Sequence, residues 1–236
     1  VLVFKGFAVA ALALTLTGCA AYQNRPVGRP SPGESPWPAA LRIPGKTYRI
    51  DEARSEVRVL VYRAGPLARL GHNHVVVNRS LRGAVKVAGG RSGFWLNLPA
   101  KAFVVDDAEA RHEEGADFAA DVPDDAKSGT LQHMLSAAVL DAGEFPEIYL
   151  TGIGGPSGTH PMASTVTVRV AGHESTLEVS SFTFDIGSGS LSISGSLELR
   201  QSTLGLTPYS LMLGALQVQD ALTVKFKIVA VDFGAT

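Results

Sequence analysis

The sequence predicts an all-β domain, and three observations carry that prediction. Apolar and polar residues alternate with a period of two in one run after another. Glycines, 25 of 236 residues, and turn signals such as Ala88-Gly89-Gly90, Ala171-Gly172-His173 and Gly187-Ser188-Gly189 punctuate those runs. One stretch alone has helical spacing. About eight such strands, in a domain of ordinary size, favour an antiparallel barrel or a sandwich.

The first element is an address. Residues 1–18 read as a lipoprotein signal peptide: Lys5 precedes an apolar run from Gly6 to Leu16, too short for the ~20 residues of a spanning helix. Leu16-Thr17-Gly18-Cys19 resembles a bacterial lipobox, and Cys19 is the only cysteine of the chain. The resemblance implies diacylglycerol on Cys19 and cleavage before it. Ala20, where an Asp would retain the protein at the inner membrane, implies anchorage to the outer membrane of a Gram-negative cell, facing the periplasm.

Residues 19–46 hold six of the 13 prolines, which leaves no room for an apolar period. A semi-extended linker is expected, with a docked arm using Trp37 and Leu41 as the alternative for its last third. The domain itself is expected over 47–234. Its strands include Glu56 to Arg63, Ser80 to Val87, Phe94 to Leu98, Thr165 to Val170, Leu191 to Leu199 and Leu222 to Ile228. Each has one face to bury and one to wet. Leu131, Met134 and Leu135 break the pattern, so a short helix from Asp124 to Ser136 is expected to cap one end. In a closed barrel the inward faces would present Val57, Val59, Val61, Val85, Leu96, Val168, Phe182, Phe184, Ile193, Leu197, Val224 and Phe226, as lumen or end-plug residues.

Composition removes several function classes. The net charge is −1, so no basic excess exists for nucleic acid. One cysteine excludes a disulfide scaffold and a cysteine-based zinc cluster. No G-x-S-x-G is present and the lone Cys is spoken for, so an enzyme is not expected. His72 and His74 are the sharpest polar feature. On a strand, residues two apart share a face, so the pair would form a polar rim or hold one metal ion. His112, His133, Glu113 or Glu114 would then supply further ligands. The acidic run of Asp106, Asp107, Glu109, Glu113, Glu114, Asp117, Asp121, Asp124 and Asp125 lacks the spacing of a calcium loop and reads as a solvated loop or a lid.

Landmarks in order then resemble the YceI-like family of periplasmic lipid-binding proteins. They are Tyr48-Arg49-Ile50-Asp51 with Ser55-Glu56-Val57; Leu70-Gly71-His72-Asn73-His74; Leu135-Ser136 through Phe145-Pro146-Glu147-Ile148; a hairpin at Gly172; Arg200 to Leu206; and Val218-Gln219-Asp220 before the last strand. Thr203 stands where the family has Asp. The resemblance covers roughly residues 47–233. It implies an extended, eight-stranded, lipocalin-like antiparallel barrel whose lumen holds a polyisoprenoid, quinone or similar lipid, with no other cofactor. Arg63, Arg69, His72 and His74 would then sit at the ligand head group or rim. The partners implied are the lipid itself, a membrane through Cys19, and a redox or transport protein that the sequence does not name. A metal or redox module on His72 and His74, and an interaction lipoprotein with a filled barrel, are the alternatives.

Overall fold

The computed structural model describes residues 25–26, 35–42, 44–88, 91–156, 164–179, 182–187 and 189–232. Cys19 and the signal peptide lie outside the described residues. The domain strands are β1 (Lys46–Ile50), β2 (Glu56–Ala64), β3 (His74–Asn78), β4 (Arg82–Ala88), β5 (Arg91–Pro99), β6 (Val104–Val105), β7 (Glu147–Pro156), β8 (Ser164–Val170), β9 (His173–Val179), β10 (Phe182–Gly187), β11 (Ser190–Arg200), β12 (Ser210–Leu211) and β13 (Leu216–Asp232), and a two-residue strand of the proline-rich segment, Arg25–Pro26, pairs with the outer edge of β9. Two helices, α1 (Ala108–Glu113) and α2 (Asp124–Leu135), lie between β6 and β7. The helix expected from Asp124 is α2.

All pairings are antiparallel. The wall runs β9-β8-β7-β5-β4-β1 to β13, and β13 continues through β11 to β10. The 17 residues of β13 organise the sheet. One edge pairs with β2 over Gln217 to Lys227 and with β1 over Ala230 to Asp232, while the other pairs with β11. A second branch, β2-β3-β6, therefore leaves the same edge as β1.

This corrects the eight-stranded closed barrel. The sheet has more strands than eight and, among the described residues, no ladder joins β9 to β10 or β11. Side chains hold that seam instead. Ser175 Oγ donates to the Thr203 carbonyl at 2.7 Å, and Leu177 and Leu204 belong to one buried cluster with Leu199 against it. Alternation specifies which face is buried; it carries no information about whether the ring closes.

The expectation of one wet face fails at β2 and β3. Val57, Val59 and Val61 join the interior cluster, but Leu60, Val75 and Val77 are also buried, on the opposite face. Ala110 of α1 and Phe118 cover them, with Tyr62 packed alongside. The acidic stretch is thus ordered in part: α1 and Phe118 lie on the outside of the wall, Glu109, Glu113, Asp117, Asp121, Asp124 and Asp125 are exposed to solvent, and its last residues begin α2. Ala110 and Phe118 clamp the outside of the wall, and Glu113 and Glu114 face basic side chains: Arg58 on β2 reaches Glu113 and Glu114 at 2.8 Å each, and Lys225 on β13 reaches Glu114 at 2.5 Å. Burial alone would push the Glu114 carboxyl up, but these two cations hold it below its ordinary value.

The last third of the proline-rich segment docks. Leu41 is fully buried, its carbonyl accepts from Lys86 Nζ at 3.3 Å, and the Lys86 ammonium stands 4.5 Å from the centre of the Trp37 ring. The alternative of a docked arm therefore describes these residues, and the core includes a residue before position 47.

Candidate functional site

The interior of the wall is open. Two overlapping compartments, about 250 and 450 Å³, run end to end. Successive inward residues pass from one to the other. On β2, Val57 lines the first, Val59 both, and Val61 the second. On β8 the same order is Val166, Val168, Val170; on β11 it is Leu197, Leu199, then Gln201 just beyond; on β13 it is Phe226, Val224, Leu222. Four strands walking in step establish one continuous tube, because side chains two apart on a strand lie on one face about 7 Å apart.

The structure puts Val57, Val59, Val85, Leu96, Val168, Ile193, Leu197, Val224 and Phe226 on the wall of the first compartment and Val61 on that of the second. Phe182 and Phe184 lie on β10, paired with Gly195 and Ile193, and their side chains lie outside the described residues. Sequence reading missed Phe94, Leu98, Phe103, Ile148 and Leu150, which line the same space. Phe94 and Leu98 share the face of Leu96 and were available from alternation. Phe103 follows a turn, and no period points to it. Gly152 on β7 makes room for the ring of Phe94: a Cβ there would strike that ring, so the aromatic packs directly against bare backbone.

The second compartment is the mouth. Helix α2 crosses it with Ala126, Gly129, Thr130, His133 and Met134, and the turn after β11 adds Gln201, Leu204, Leu206 and Tyr209. The His133 and Tyr209 rings meet edge to face at 4.2 Å. His133 is thus a mouth residue rather than a partner of His72.

His74 also faces the mouth, and a buried charge network fixes its orientation. Its Nδ1 lies 2.6 Å from Asp106 Oδ2. The Asp106 carboxylate has no exposed surface; its Oδ1 accepts from the Val75 N–H at 2.9 Å and from Arg111 Nη1 at 2.5 Å. Arg111, itself buried, also donates to the carbonyls of Asn73 and Ala120, both at 2.8 Å. Burial opposes ionisation of Asp106, yet the hydrogen bonds from His74, Val75 and Arg111 outweigh it and hold the carboxyl below its ordinary value. A carboxylate only accepts, so Nδ1 of His74 carries the proton. Nε2 is left toward the mouth, 3.5 Å from Thr130 Oγ1, the outer limit of a hydrogen bond.

The other rim candidates are placed differently. His72 precedes β3 rather than sharing it, and its ring centre is 6.2 Å from that of His74. Arg63 is exposed and donates to the Gly71 carbonyl at 2.6 Å; Arg69 is exposed on a short 3-10 turn. None of His72, Arg63 and Arg69 lines the tube. His112 and Glu113 belong to α1 and Glu114 caps it, on the outer side of β2. Among the described residues no group of three or more His, Cys, Asp or Glu side chains is placed to hold a metal ion.

Two solved structures share this architecture. BcnA from Burkholderia cenocepacia matches with a TM-score of 0.56 at 14% identity, over 77% of this chain and 99% of that one. A polyisoprenoid binding domain from Saccharophagus degradans, implicated in plant cell wall breakdown, matches with a TM-score of 0.54 at 9% identity, over 78% and 98%. The fold is YceI-like. No protein-family model matches the sequence, and no curated protein matches it. The YceI-like likeness resides in the backbone: at these identities the mouth residues of this chain are read from its own geometry.

Proposed function

We propose that this protein binds one long apolar amphiphile, a polyisoprenoid, quinone or similar lipid, in its tube, for carriage or sequestration. The observation that carries the reading is the continuous apolar tube whose polar side chains, Ser92 apart, gather at one end among the described residues. Its size is in the range of sites that enclose a small molecule. Each CH₂ group taken into it from water contributes about 0.8 kcal/mol, so chain length supplies affinity without reaction chemistry. The polyisoprenoid-binding neighbour and the ordered YceI-like landmarks in the sequence support the same ligand class and membership of that family. A binding protein rather than an enzyme follows from this reading.

The head group would lie at the mouth, beside His74 Nε2, Thr130, His133 and Tyr209. The apolar tail would fill the first compartment. The lipobox-like Leu16 to Cys19 supports anchorage through Cys19 to an outer membrane, with the domain in the periplasm. Among the described residues no geometry favours the metal module, and the open tube disfavours the filled barrel.

The deciding experiment is native mass spectrometry of protein purified from a periplasm-exporting host. A single lipid-sized adduct, released by organic solvent and identified as an isoprenoid, is the expected result. Protein of bare mass that also fails to take up an added isoprenoid would overturn the reading.

A further inference from the structure

Beside the mouth the chain exposes a cluster of large apolar residues. Leu211, Met212 and Leu213 form the tip of the turn between β12 and β13; Met212 is 75% exposed and Leu213 fully so. Leu70, 64% exposed, belongs to the 3-10 turn that braces this tip. The brace is built in. Leu67 N–H donates to the Ala215 carbonyl at 2.8 Å. Gly65, at φ +90°, lets the two backbones touch, since a Cβ there would meet the carbonyls of Gly214 and Ala215.

The backbone of the tip is strained as well as apolar. Met212 and Leu213 both have positive φ, 51° and 57°, where residues with side chains rarely sit. Burial does not explain this, because both residues are exposed. Polarity completes the pattern. Residues 205–216 carry no charge, and the only charged side chains of the bracing segment, residues 63–71, are Arg63 and Arg69. Tyr209, two residues before Leu211, lines the tube.

We propose that this tip docks on an anionic lipid bilayer, seating Leu211, Met212, Leu213 and Leu70 among the acyl chains and setting the tube mouth against the membrane. A narrow apolar wedge flanked by arginines suits an interface of acyl chains beneath phosphates. A protein partner would call for a broader complementary surface than four side chains on two turns. Docking goes beyond the lipid-binding reading and stands without it, since the tip is outside the tube.

The test uses the full chain with vesicles of phosphatidylcholine and phosphatidylglycerol, and reads the tip locally so that the N-terminus contributes equally throughout. In Leu213→Trp, the new indole is expected to shift to the blue and to be quenched by brominated acyl chains, against the Trp37 and Trp95 background of the parent. Replacing Leu211, Met212 and Leu213 together by serine is expected to slow uptake of a fluorescent isoprenoid from vesicles about tenfold or more, while uptake of the same probe from detergent is unchanged. Arg69→Ser is expected to slow it about two- to fivefold. An indole at 213 that stays open to aqueous iodide in the presence of vesicles overturns the proposal, whether or not the position crosslinks to a protein instead. Insertion of the indole without uptake of the probe from any source leaves docking standing and overturns the lipid-binding reading.

Discussion

The two compartments of the tube are built by the same strands and differ in what closes them. The first is lined by valine, leucine, isoleucine, phenylalanine and two glycines, and among the described residues Ser92 is its only polar side chain. The second adds His74, Thr130, His133, Gln201 and Tyr209, all from α2, the start of β3 and the turns beyond β11. The difference teaches that strands supply a uniform apolar bore and that connections supply direction. A symmetrical hydrocarbon would fit either way round. An amphiphile has one orientation, because leaving a polar head among apolar side chains without a partner costs about 1–3 kcal/mol.

The comparison breaks most severely at Asp106. Asp106→Ala leaves Arg111 buried without its carboxylate and removes the partner that orients His74. A loss of about 3–5 kcal/mol is expected, measured by urea unfolding. Acid should reach the same network. The folded carboxyl lies below its unfolded value of about 3.9, so its stabilisation is complete above that pH and is lost as pH falls through the lower folded value. Asp106→Asn should flatten the acid limb of the stability profile. If parent and variant unfold in parallel with acid, Asp106 is not the group responsible.

Filling the first compartment should sharpen the comparison from the apolar side. Leu197→Trp is expected to exclude one or two carbons of the tail and to weaken binding of a long isoprenoid about tenfold, with a short-chain analogue unaffected. Titration with two chain lengths checks this. Equal losses for both would show that the tail does not reach Leu197. The smallest effect belongs to the mouth. His74→Phe keeps a ring and removes Nε2; it should cost about five- to tenfold for an isoprenoid alcohol and nothing for the matching hydrocarbon. The difference between the two ligands, rather than either affinity, carries the result.

Much of the bore was legible. Alternation in β2, β8, β11 and β13 picks out Val57, Val59, Val61, Val168, Ile193, Leu197, Val224 and Phe226, and helical spacing picks out α2. The outer clamp was not anticipated, although a signal existed. Leu60 interrupts the wet face of β2 and Val75-Val76-Val77 runs without alternation in β3, which is how a strand buried on both sides reads. The His74–Asp106 pair had no such signal: His74 stood out for its spacing from His72 and Asp106 as the head of the acidic run, and nothing in the sequence joins the two across 32 residues. Nor does any period announce the seam at β9, where Ser175 and Thr203 meet across 28 residues.

Leu41 gives the N-terminal segment a mechanical role. A pull on the chain N-terminal to it meets two attachments in turn: the two-residue strand Arg25–Pro26 paired with β9, then Leu41, which is buried and whose carbonyl meets Lys86 on β4. One buried leucine contributes about 1.5–3 kcal/mol, against about 5–15 kcal/mol for a typical domain. Under load these two short attachments therefore give way before the long strands of the wall are disturbed, which lengthens the free N-terminal chain and leaves the tube intact.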